Sequence, residues 1–192
     1  KKRQLPYVVK NRIMDEVKFI KGNGIFLREP RHSDLDSNWY NWLNDQEVTK
    51  FQNKGIFPNT YDKQLEYLKS IQSSNNDVLF SIVEDTSSEH IGCVGLHKID
   101  WISRSAELGI IIGEKKFWGK KFGKESWGLI TEYGFKKLNL HRIYAIVIED
   151  NISSKKCAIN SGFIQEGIMK DYLFKNGNYL NALLFSKINP NG

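Results

Sequence analysis

The run HRIYAIVI at residues 141–148 constrains the architecture more than any other segment. β-Branched and aromatic residues fill it, which is typical of a strand buried on both faces of a sheet. Such a strand pairs in parallel with a neighbour that is reached through a helical crossover. AELGIIIG at 106–113 predicts that neighbour, and apolar or small residues recur between them at helical spacing: Trp127, Ile130, Gly134 and Leu138. Residues 106–148 therefore predict a βαβ unit.

Further strands flank this unit. IFLRE at 25–29 predicts a short strand, and the apolar runs at 78–83 and 90–99 predict a meander with the strand that follows them. FIQEGIMKDYLF and YLNALLFSKI flank Asn176-Gly177, a dipeptide typical of the tight turn in a hairpin. The chain therefore predicts a sheet with a closing hairpin.

Three more helices are predicted. Apolar residues at helical spacing indicate one helix over residues 34–43. Thr60 is a suitable N-cap for a second helix, whose apolar residues follow at positions 61, 65, 68 and 71. Asn151 begins a short third helix that ends at Gly162, because glycine is the usual left-handed residue after a helix.

The composition excludes a disordered chain. Apolar residues make up 40% of the 192 residues and five are tryptophans, so the chain can bury enough surface to offset its conformational entropy. This length suits one domain, which we expect to cover residues 23–189. Residues 1–22 are expected to be a basic extension, of which residues 1–13 are either a cloning remnant or native.

Membrane, secreted and metal-binding classes find no support in the sequence. No apolar run approaches the roughly 18 residues of a membrane span, and the first residues lack the apolar stretch of a signal peptide, so we expect a cytoplasmic protein. Cys93 and Cys157 are the two cysteines, without the spacing of a zinc site, and we expect free thiols and no bound metal.

The net charge of +6 would permit nucleic-acid binding, but the charge is scattered along the chain. The densest run surrounds a single predicted turn: Lys115, Lys116, Lys120, Lys121 and Lys124. Such a run suits one polyphosphate ligand better than a nucleic-acid track, and a solvated basic surface explains most of the remaining excess.

That turn, KFWGKKFGKE at residues 116–125, joins a predicted strand to a predicted helix. A glycine-containing turn at a helix N-terminus presents unpaired N–H groups and the positive end of the helix dipole to an anion. It is neither a Walker loop nor a dinucleotide fingerprint, since it contains neither GKS or GKT nor GxGxxG. Taken alone, it is equally consistent with a plain connection.

A second segment adds to the pattern. N-x-x-S at 151–154 and SGFIQEG at 161–167 follow the buried strand directly. With IFLRE, WLNDQEV (42–48), IGCVGLHKID, RSAELGIIIG, FWGKKFGKES and LNLHRI, they resemble in order and spacing the GNAT superfamily of acetyl-CoA-dependent N-acetyltransferases. The resemblance covers about residues 24–188 and is to the branch that acetylates the N-termini of ribosomal proteins and includes amino-sugar-modifying members.

The resemblance implies an α/β (α+β) GNAT fold. This fold is a mixed, mostly antiparallel, twisted sheet of six or seven strands, with helices on both faces. The strands at 106–113 and 141–148 splay apart there, and the pantetheine arm of coenzyme A enters between them.

The same resemblance implies acetyl-CoA as co-substrate. In the family pattern for the pyrophosphate turn, Lys116 takes the first place and Gly119 the fourth, whereas Lys121 stands where a small residue is usual. The implied coenzyme A residues are those of the turn, the backbone of the preceding strand and the start of the last helix: Lys116, Phe117, Trp118, Gly119, Lys120, Lys121, Phe122, Gly123, Lys124, Ile110, Ile111, Ile112, Asn151 and Ser154.

The implied reaction is the direct attack of a neutral amine on a thioester. An α-amino group with a pKa of about 7.8 is roughly 15% neutral at pH 7, whereas a lysine near 10.4 is below roughly 0.1%, so a lysine needs a base far more. Glu107 stands where relatives carry a carboxylate that accepts the amine proton, often through water. An edge glutamate paired with Arg104 or Arg142 is the equal alternative.

The general acid is less defined. Many family members have a tyrosine four residues after the N-x-x-S serine, and this chain has Ala158 there. Ser154 either protonates the departing thiolate or is a first-turn helix residue beside the capping Asn151. Cys157 without a paired His and Asp indicates a buried thiol rather than an acyl carrier.

The two strand histidines are interpreted as structural. His141 opens the buried strand and is not assigned to catalysis. His97 could face the acceptor cleft, but an exposed strand histidine is the more frequent case.

In this fold the acceptor lies between the first two helices and the closing hairpin, so that Trp39, Trp42, the loop at 44–59 and Tyr172 are expected to line its site. The loop resembles that of members that acetylate nucleotide-linked amino sugars, and a basic, aromatic cleft suits such an anionic acceptor. We therefore favour that acceptor over a protein N-terminus, and polyamines rank lower because a polycation needs an acidic site.

One alternative belongs to another class of protein. A non-catalytic module that binds acyl-CoA or nucleic acid would keep the fold and lose the chemistry, as the missing tyrosine and Lys121 would allow. The resemblance also allows a homodimer, as dimers are common in the family.

Overall fold

A computed structural model describes residues 17–192 of the chain. Its strands are β1 (Ile20–Lys21), β2 (Ile25–Arg28), β3 (Val78–Glu84), β4 (His90–Asp100), β5 (Ser105–Ile112), β6 (Arg142–Ile148), β7 (Ile164–Lys175) and β8 (Asn178–Ile188). Its helices are α1 (His32–Leu35), α2 (Trp39–Trp42), α3 (Tyr61–Ser73), α4 (Phe122–Lys136) and α5 (Ile152–Asn160). A short 3₁₀ turn, Lys115–Phe117, lies between β5 and α4.

The eight strands form one sheet in the order β1-β2-β3-β4-β5-β6-β8-β7. Every neighbouring pair is antiparallel except β5 and β6, which are parallel and joined through α4. The predicted GNAT fold, βαβ unit and closing hairpin are confirmed. The sheet has eight strands instead of six or seven, because Ile20 and Lys21 pair with Leu27 and Phe26 and thereby extend it at one edge.

The predicted helix over residues 34–43 is wrong in its continuity. Two four-residue helices, α1 and α2, replace it. The intervening Asp36, Ser37 and Asn38 favour turns, because their short polar side chains compete for backbone hydrogen bonds, and the Ser37 hydroxyl donates to the carbonyl of Asp34. The two shorter helices give the chain a corner above the sheet.

Each face of the sheet carries its own core. On one face α4 and α5 pack against the larger cluster, in which Trp127, Ile130 and Ile143 are fully or almost fully buried. On the other face α1, α2 and α3 enclose Leu35, Trp39 and Leu68. Helices therefore cover the sheet on both faces. Within residues 17–192, no helix is both long and apolar enough to cross a membrane.

A buried ion pair ties α1 to the sheet. Arg28 of β2 donates to both carboxylate oxygens of Asp34, at 2.8 and 2.6 Å, and Ser81 of β3 donates to Oδ2 of the same carboxylate at 2.7 Å. Burial opposes ionisation of Asp34, but these donors and the nearby His90 hold its pKa below the ordinary value. The network fixes the first element of the α1–α3 layer.

Gly134 allows α4 to lie close to the sheet. A Cβ at this position would lie 2.7 Å from Cδ1 of Ile143 and 2.9 Å from Cδ1 of Leu96. We expect Gly134→Val to lower the free energy of unfolding by about 1–3 kcal/mol, the usual cost of overpacking. Urea denaturation measures this. Gly128→Val on the same helix is the matched control, because a Cβ there meets nothing within 4 Å. Equal stabilities of the two variants would contradict the close packing.

Candidate functional site

The parallel strands β5 and β6 diverge soon after they begin. They pair at only three positions, from Ser105 with Arg142 to Glu107 with Tyr144. Beyond this point β5 stays paired with β4, and β6 stays paired with β8 as far as Ile148. A gap therefore opens in the middle of the sheet, and the splay implied by the family resemblance is confirmed.

The edge of β5 presents backbone groups to this gap. The N–H of Gly113 donates to the carbonyl of Ile91 on β4 at 2.9 Å. Because the hydrogen bonds of an antiparallel ladder alternate, the backbone groups of Leu108, Ile110 and Ile112 point away from β4 and toward the gap. The Ile112 carbonyl accepts a hydrogen bond from Nε1 of Trp118 at 2.8 Å. The N–H groups and remaining carbonyls suit an extended ligand that adds to the strand edge.

A cavity of about 650 Å³ occupies the gap. Trp127, Asn151 and Ser154 line it from the α4–α5 face, while Trp39, Tyr67 and His97 line it from the other face. The cavity thus passes through the sheet and joins its two faces.

The predicted phosphate turn lies at the start of α4. Gly119 and Lys121 both have left-handed backbones, with φ of 77° and 68°. Lys121 is the N-cap of α4 and its side chain makes no capping hydrogen bond. The first helical hydrogen bond at this end runs from the Glu125 N–H to the Lys121 carbonyl, which leaves the N–H groups of the first turn directed out of the helix. A helix start of this form attracts anions.

The lysines of the turn differ in their surroundings. Lys116 pairs with Glu89 at 2.7 Å, and Lys115 pairs with Asp45 at 2.9 Å and Glu47 at 3.0 Å. Lys120 lies over the ring of Phe117, with Nζ 4.8 Å from the ring centroid. Lys121 and Lys124 make no ion pair within residues 17–192 and leave their charge available to a ligand at the turn. The aromatic residues anchor the turn: Phe117 is buried, Phe122 packs against the core, and Trp118 is 40% exposed.

Asn151 and Ser154 lie where β6 passes into α5. The Asn151 side chain accepts a hydrogen bond from the Ser154 N–H at 3.1 Å and thereby caps the helix. Both residues line the cavity, whereas Ala158 is fully buried in the core. Burial raises the pKa of the neighbouring Cys157 thiol, which keeps it protonated and makes it a poor nucleophile.

Glu107 lies where β5 and β6 part, and it lines the cavity. Its carboxylate pairs with Nζ of Lys98 at 2.7 Å. The partners expected from the sequence are engaged elsewhere, because Arg142 pairs with Glu166 and Arg104 donates to Asn139. The sequence gave no signal for Lys98, which follows His97, the residue opposite Glu107 on β4.

His97 faces the cavity directly across from Glu107 on the neighbouring strand. Its Nδ1 lies 3.2 Å from Oδ1 of Asp77, a residue just ahead of β3. The sequence predicted no role for Asp77, because this residue lies 20 positions from His97 along the chain. Only the pairing of β3 with β4 brings the two side chains close together.

Some of the residues predicted to line the acceptor site line the cavity, and one lies elsewhere. Trp39, Tyr172 and residues 51–59 line the cavity, as Ile110 and Ile111 do on β5. Trp42 lies elsewhere: it packs on His90 and beside Gly113, and its Nε1 donates to Glu114 at 2.9 Å. The break between α1 and α2 turns its indole into the core.

Two buried donors at the cavity have no hydrogen-bond partner among the described residues: Nε2 of Gln64 and Nε1 of Trp127. Asn59 donates to Oε1 of Gln64 at 3.0 Å and to the Tyr40 carbonyl, which orients the Gln64 amide with its NH₂ group away from Asn59. Unpartnered buried donors are uncommon because each costs free energy, so these two indicate ligand contacts on opposite sides of the gap. Sequence periodicity placed Trp127 in the core and gave no signal for Gln64.

Lys175 of β7 supports the loop that closes the acceptor side. It is 7% exposed, and its ammonium donates to the carbonyls of Gln52 and Lys54. Burial lowers its pKa. The hairpin thus holds residues 52–54 over the cavity. In the described part of the chain, no three His, Cys, Asp or Glu side chains are grouped as metal ligands would be.

Comparison with known proteins places this geometry among relatives. The family model for an acetyltransferase (GNAT) domain matches residues 25–164. The chain is 32% identical over 162 residues to the uncharacterized N-acetyltransferase p20 of Bacillus licheniformis, covering 83% of this chain and 90% of that protein. It is 30% identical over 95 residues to a putative ribosomal N-acetyltransferase, YdaF, of Bacillus subtilis, covering 50% of this chain and 51% of the relative.

A solved structure is similar over nearly the whole chain. The spermidine N-acetyltransferase of Vibrio cholerae, crystallised with CoA and spermine, superposes with a TM-score of 0.79 at 26% sequence identity. The match covers 86% of this chain and 96% of that one.

The left-handed turn ahead of α4 allows a direct test. An alanine at Gly119 must adopt a φ of 77°, which costs an L-residue roughly 1–2 kcal/mol. We expect Gly119→Ala to weaken coenzyme A binding about tenfold, measured by calorimetry, because the turn must shift. Gly128→Ala, in the exposed middle of α4, is the control and should bind normally. Unchanged affinity of Gly119→Ala would mean that the turn does not hold the ligand.

Proposed function

The chain belongs to the GNAT family of acetyl-CoA-dependent N-acetyltransferases, and on this premise we propose that its acceptor is a primary amine on an otherwise neutral or anionic molecule, such as a nucleotide-linked amino sugar. The charge of the cavity supports this acceptor. Among the described residues that line it, Glu107 is the one carboxylate, while Lys54 and Lys63 bring positive charge. Glu107 is itself paired with Lys98.

We infer that acetyl-CoA enters from the α4–α5 face. Its pyrophosphate would bind at the first turn of α4, beside the unpaired Lys121 and Lys124, while its pantetheine arm adds to the free edge of β5. The N–H groups of Leu108 and Ile110 would bond that arm and the acetyl carbonyl. The support for this placement is the gap, which leaves these backbone groups unpaired by β6.

The acceptor would enter from the α1–α3 face, between residues 51–59 and Tyr172. Glu107 attracts its ammonium to the point where the strands part. After the neutral amine attacks the thioester carbon, the departing thiolate of coenzyme A is protonated with the help of the Ser154 hydroxyl, which lines the cavity near α5.

The orphan Gln64 amide adds a second argument about the acceptor. Its NH₂ group can only donate, so it prefers a ligand oxygen such as a hydroxyl, carbonyl or phosphate. Sugars and nucleotides carry many such oxygens. Protonated polyamines carry none, since each of their nitrogens is itself a donor.

A polyamine is the second candidate acceptor, because the similar Vibrio structure is that of a spermidine N-acetyltransferase. This similarity ranks a polyamine higher as an acceptor than the sequence alone did. The cavity charges of this chain still oppose it, since a polycation beside Lys54 and Lys63 would lack partners. Acetylation of a protein N-terminus, suggested by the relation to YdaF, is the third arm of the test.

The decisive measurement is thiol release from acetyl-CoA in the presence of each acceptor class. We expect nucleotide-linked amino sugars to give the highest kcat/KM, ahead of spermidine and of peptides with an Ala or Ser N-terminus. Spermidine as the best substrate would overturn the proposed acceptor and leave the acetyltransferase intact. Coenzyme A binding without turnover of any amine would support a non-catalytic module.

Reversal of one charge sharpens this test. We expect Lys54→Glu to raise KM about tenfold for an anionic acceptor, because an attraction becomes a repulsion at the cavity mouth. The KM for acetyl-CoA should not change. Lys69→Glu on the exposed side of α3 is the control for net charge. A lower KM for the anionic acceptor in Lys54→Glu would contradict its placement.

A further inference from the structure

His97 is built into the cavity wall by more than its position on a strand. The imidazole lies across two glycines: a Cβ on Gly95 would be 3.1 Å from its Nε2, and a Cβ on Gly109 would be 3.3 Å from the same atom. Both positions therefore need glycine for the ring to lie flat on the sheet. Gly109 belongs to the stretch of β5 that has left β6, so Nε2 lies at the start of the gap.

Asp77 determines which nitrogen of this ring carries the proton. Its Oδ1 accepts from Nδ1 of His97 at 3.2 Å, and its Oδ2 accepts from the Ser74 hydroxyl at 2.7 Å. Burial opposes ionisation of Asp77, but these bonds and one from the Lys98 N–H hold its pKa below the ordinary value. An ionised Asp77 can only accept, so Nδ1 bears the hydrogen and Nε2 keeps its lone pair.

Nε2 makes no hydrogen bond to any residue in the described part of the chain. It lies in the cavity wall, where a bound amine can reach it. The carboxylate of Glu107 already has a partner, because Nζ of Lys98 lies 2.7 Å from it. Lys98 itself has a left-handed backbone, with φ of 52°, in a bulge that follows His97. Bulges and strained residues of this kind often orient functional side chains.

We propose that His97 is the general base of the reaction and that Asp77 is its positioning residue. The inference rests on the proposed acetyl transfer to an amine and adds the atom that receives the proton. Glu107 then serves as the charge that draws in the ammonium and stabilises the imidazolium.

The acceptor ammonium gives one proton to Nε2 of His97, and the freed nitrogen lone pair forms a bond to the thioester carbon. The C–S bond breaks and its electron pair leaves on the thiolate of coenzyme A. The second proton of the new amide nitrogen passes to that thiolate, for which Ser154 is the nearest proposed relay. The imidazolium finally releases its proton to water.

Other groups around His97 affect its charge. Lys98 and Glu107 lie beside it on β4 and β5, and Asp77 lies on its far side. Two phenols complete the surroundings: Tyr67 of α3, whose pKa burial raises, and Tyr144 of β6, whose pKa burial and Glu107 raise. Both phenols therefore stay neutral near pH 7.

Steady-state kinetics of His97→Ala test the base. With the best amine found, we expect kcat to fall about 100-fold, the range for loss of a general base, and KM for acetyl-CoA to stay unchanged. Added imidazoles should restore the rate in the order of their basicity, which a purely structural residue would not produce. Asp77→Asn should lower kcat about tenfold. His32→Ala, an exposed histidine on α1, is the control. A kcat within twofold of wild type in His97→Ala would overturn the proposal.

A second measurement does not require turnover. Nitrogen NMR of the free enzyme should show hydrogen on Nδ1 of His97 and none on Nε2, and Asp77→Asn should abolish this preference. The opposite tautomer in the wild-type enzyme would overturn the inference. Absence of turnover with every amine would instead count against the proposed function, since the tautomer is read independently.

Discussion

The early divergence of β5 from β6 governs everything else in the molecule. Each strand keeps seven register pairs with the neighbour on its other side, β5 with β4 and β6 with β8, which hold the two strands in place on either side of the gap. Within residues 17–192, no strand pairs with the backbone groups of Leu108, Ile110 and Ile112 that face the gap. Unpaired backbone groups in a protein interior carry a free-energy cost, and the extended arm of an acyl carrier can offset it. The helices on the two faces of the sheet then need only leave the gap between β5 and β6 uncovered.

The two layers accomplish this in different ways. On the side proposed for the acyl donor, one long helix, α4, lies close to the sheet because Gly134 has no side chain. On the acceptor side two short helices and a long loop are tied down by single buried charges, Arg28 to Asp34 and Lys175 to the carbonyls of residues 52–54. A rigid donor site thus stands opposite an acceptor site assembled from separable parts.

The features that could be predicted from the sequence are those with a periodic or local signal. Periodicity located β6 and α4, Asn176-Gly177 located the closing turn, and the cap residues Thr60 and Asn151 located two helix starts, all of which the structure contains. The break between α1 and α2 was not predicted, because Leu35 and Trp39 keep helical spacing across it. The sequence identified His97 only as a strand histidine that could face the acceptor cleft. Asp77 and Gln64 gave no signal, because their contacts join segments that are distant along the chain.

Lys121 shows how a local irregularity is accommodated. The family resemblance expects a small residue there, yet the lysine takes a left-handed backbone and ends the turn as the cap of α4. Its side chain makes no hydrogen bond to the helix that it caps. The departure from the family pattern adds a positive charge at the turn.

The cavity opens on both faces of the sheet, and this has a consequence for molecular traffic. In the proposed arrangement the acyl donor and the acceptor enter from opposite faces of the sheet and meet at the gap between β5 and β6. Each product can then leave by the face at which its substrate entered. An enzyme of this geometry has no physical need for an obligatory order of substrate binding or for a covalent acyl-enzyme intermediate. A molecule that blocks one opening of the cavity leaves the other opening free.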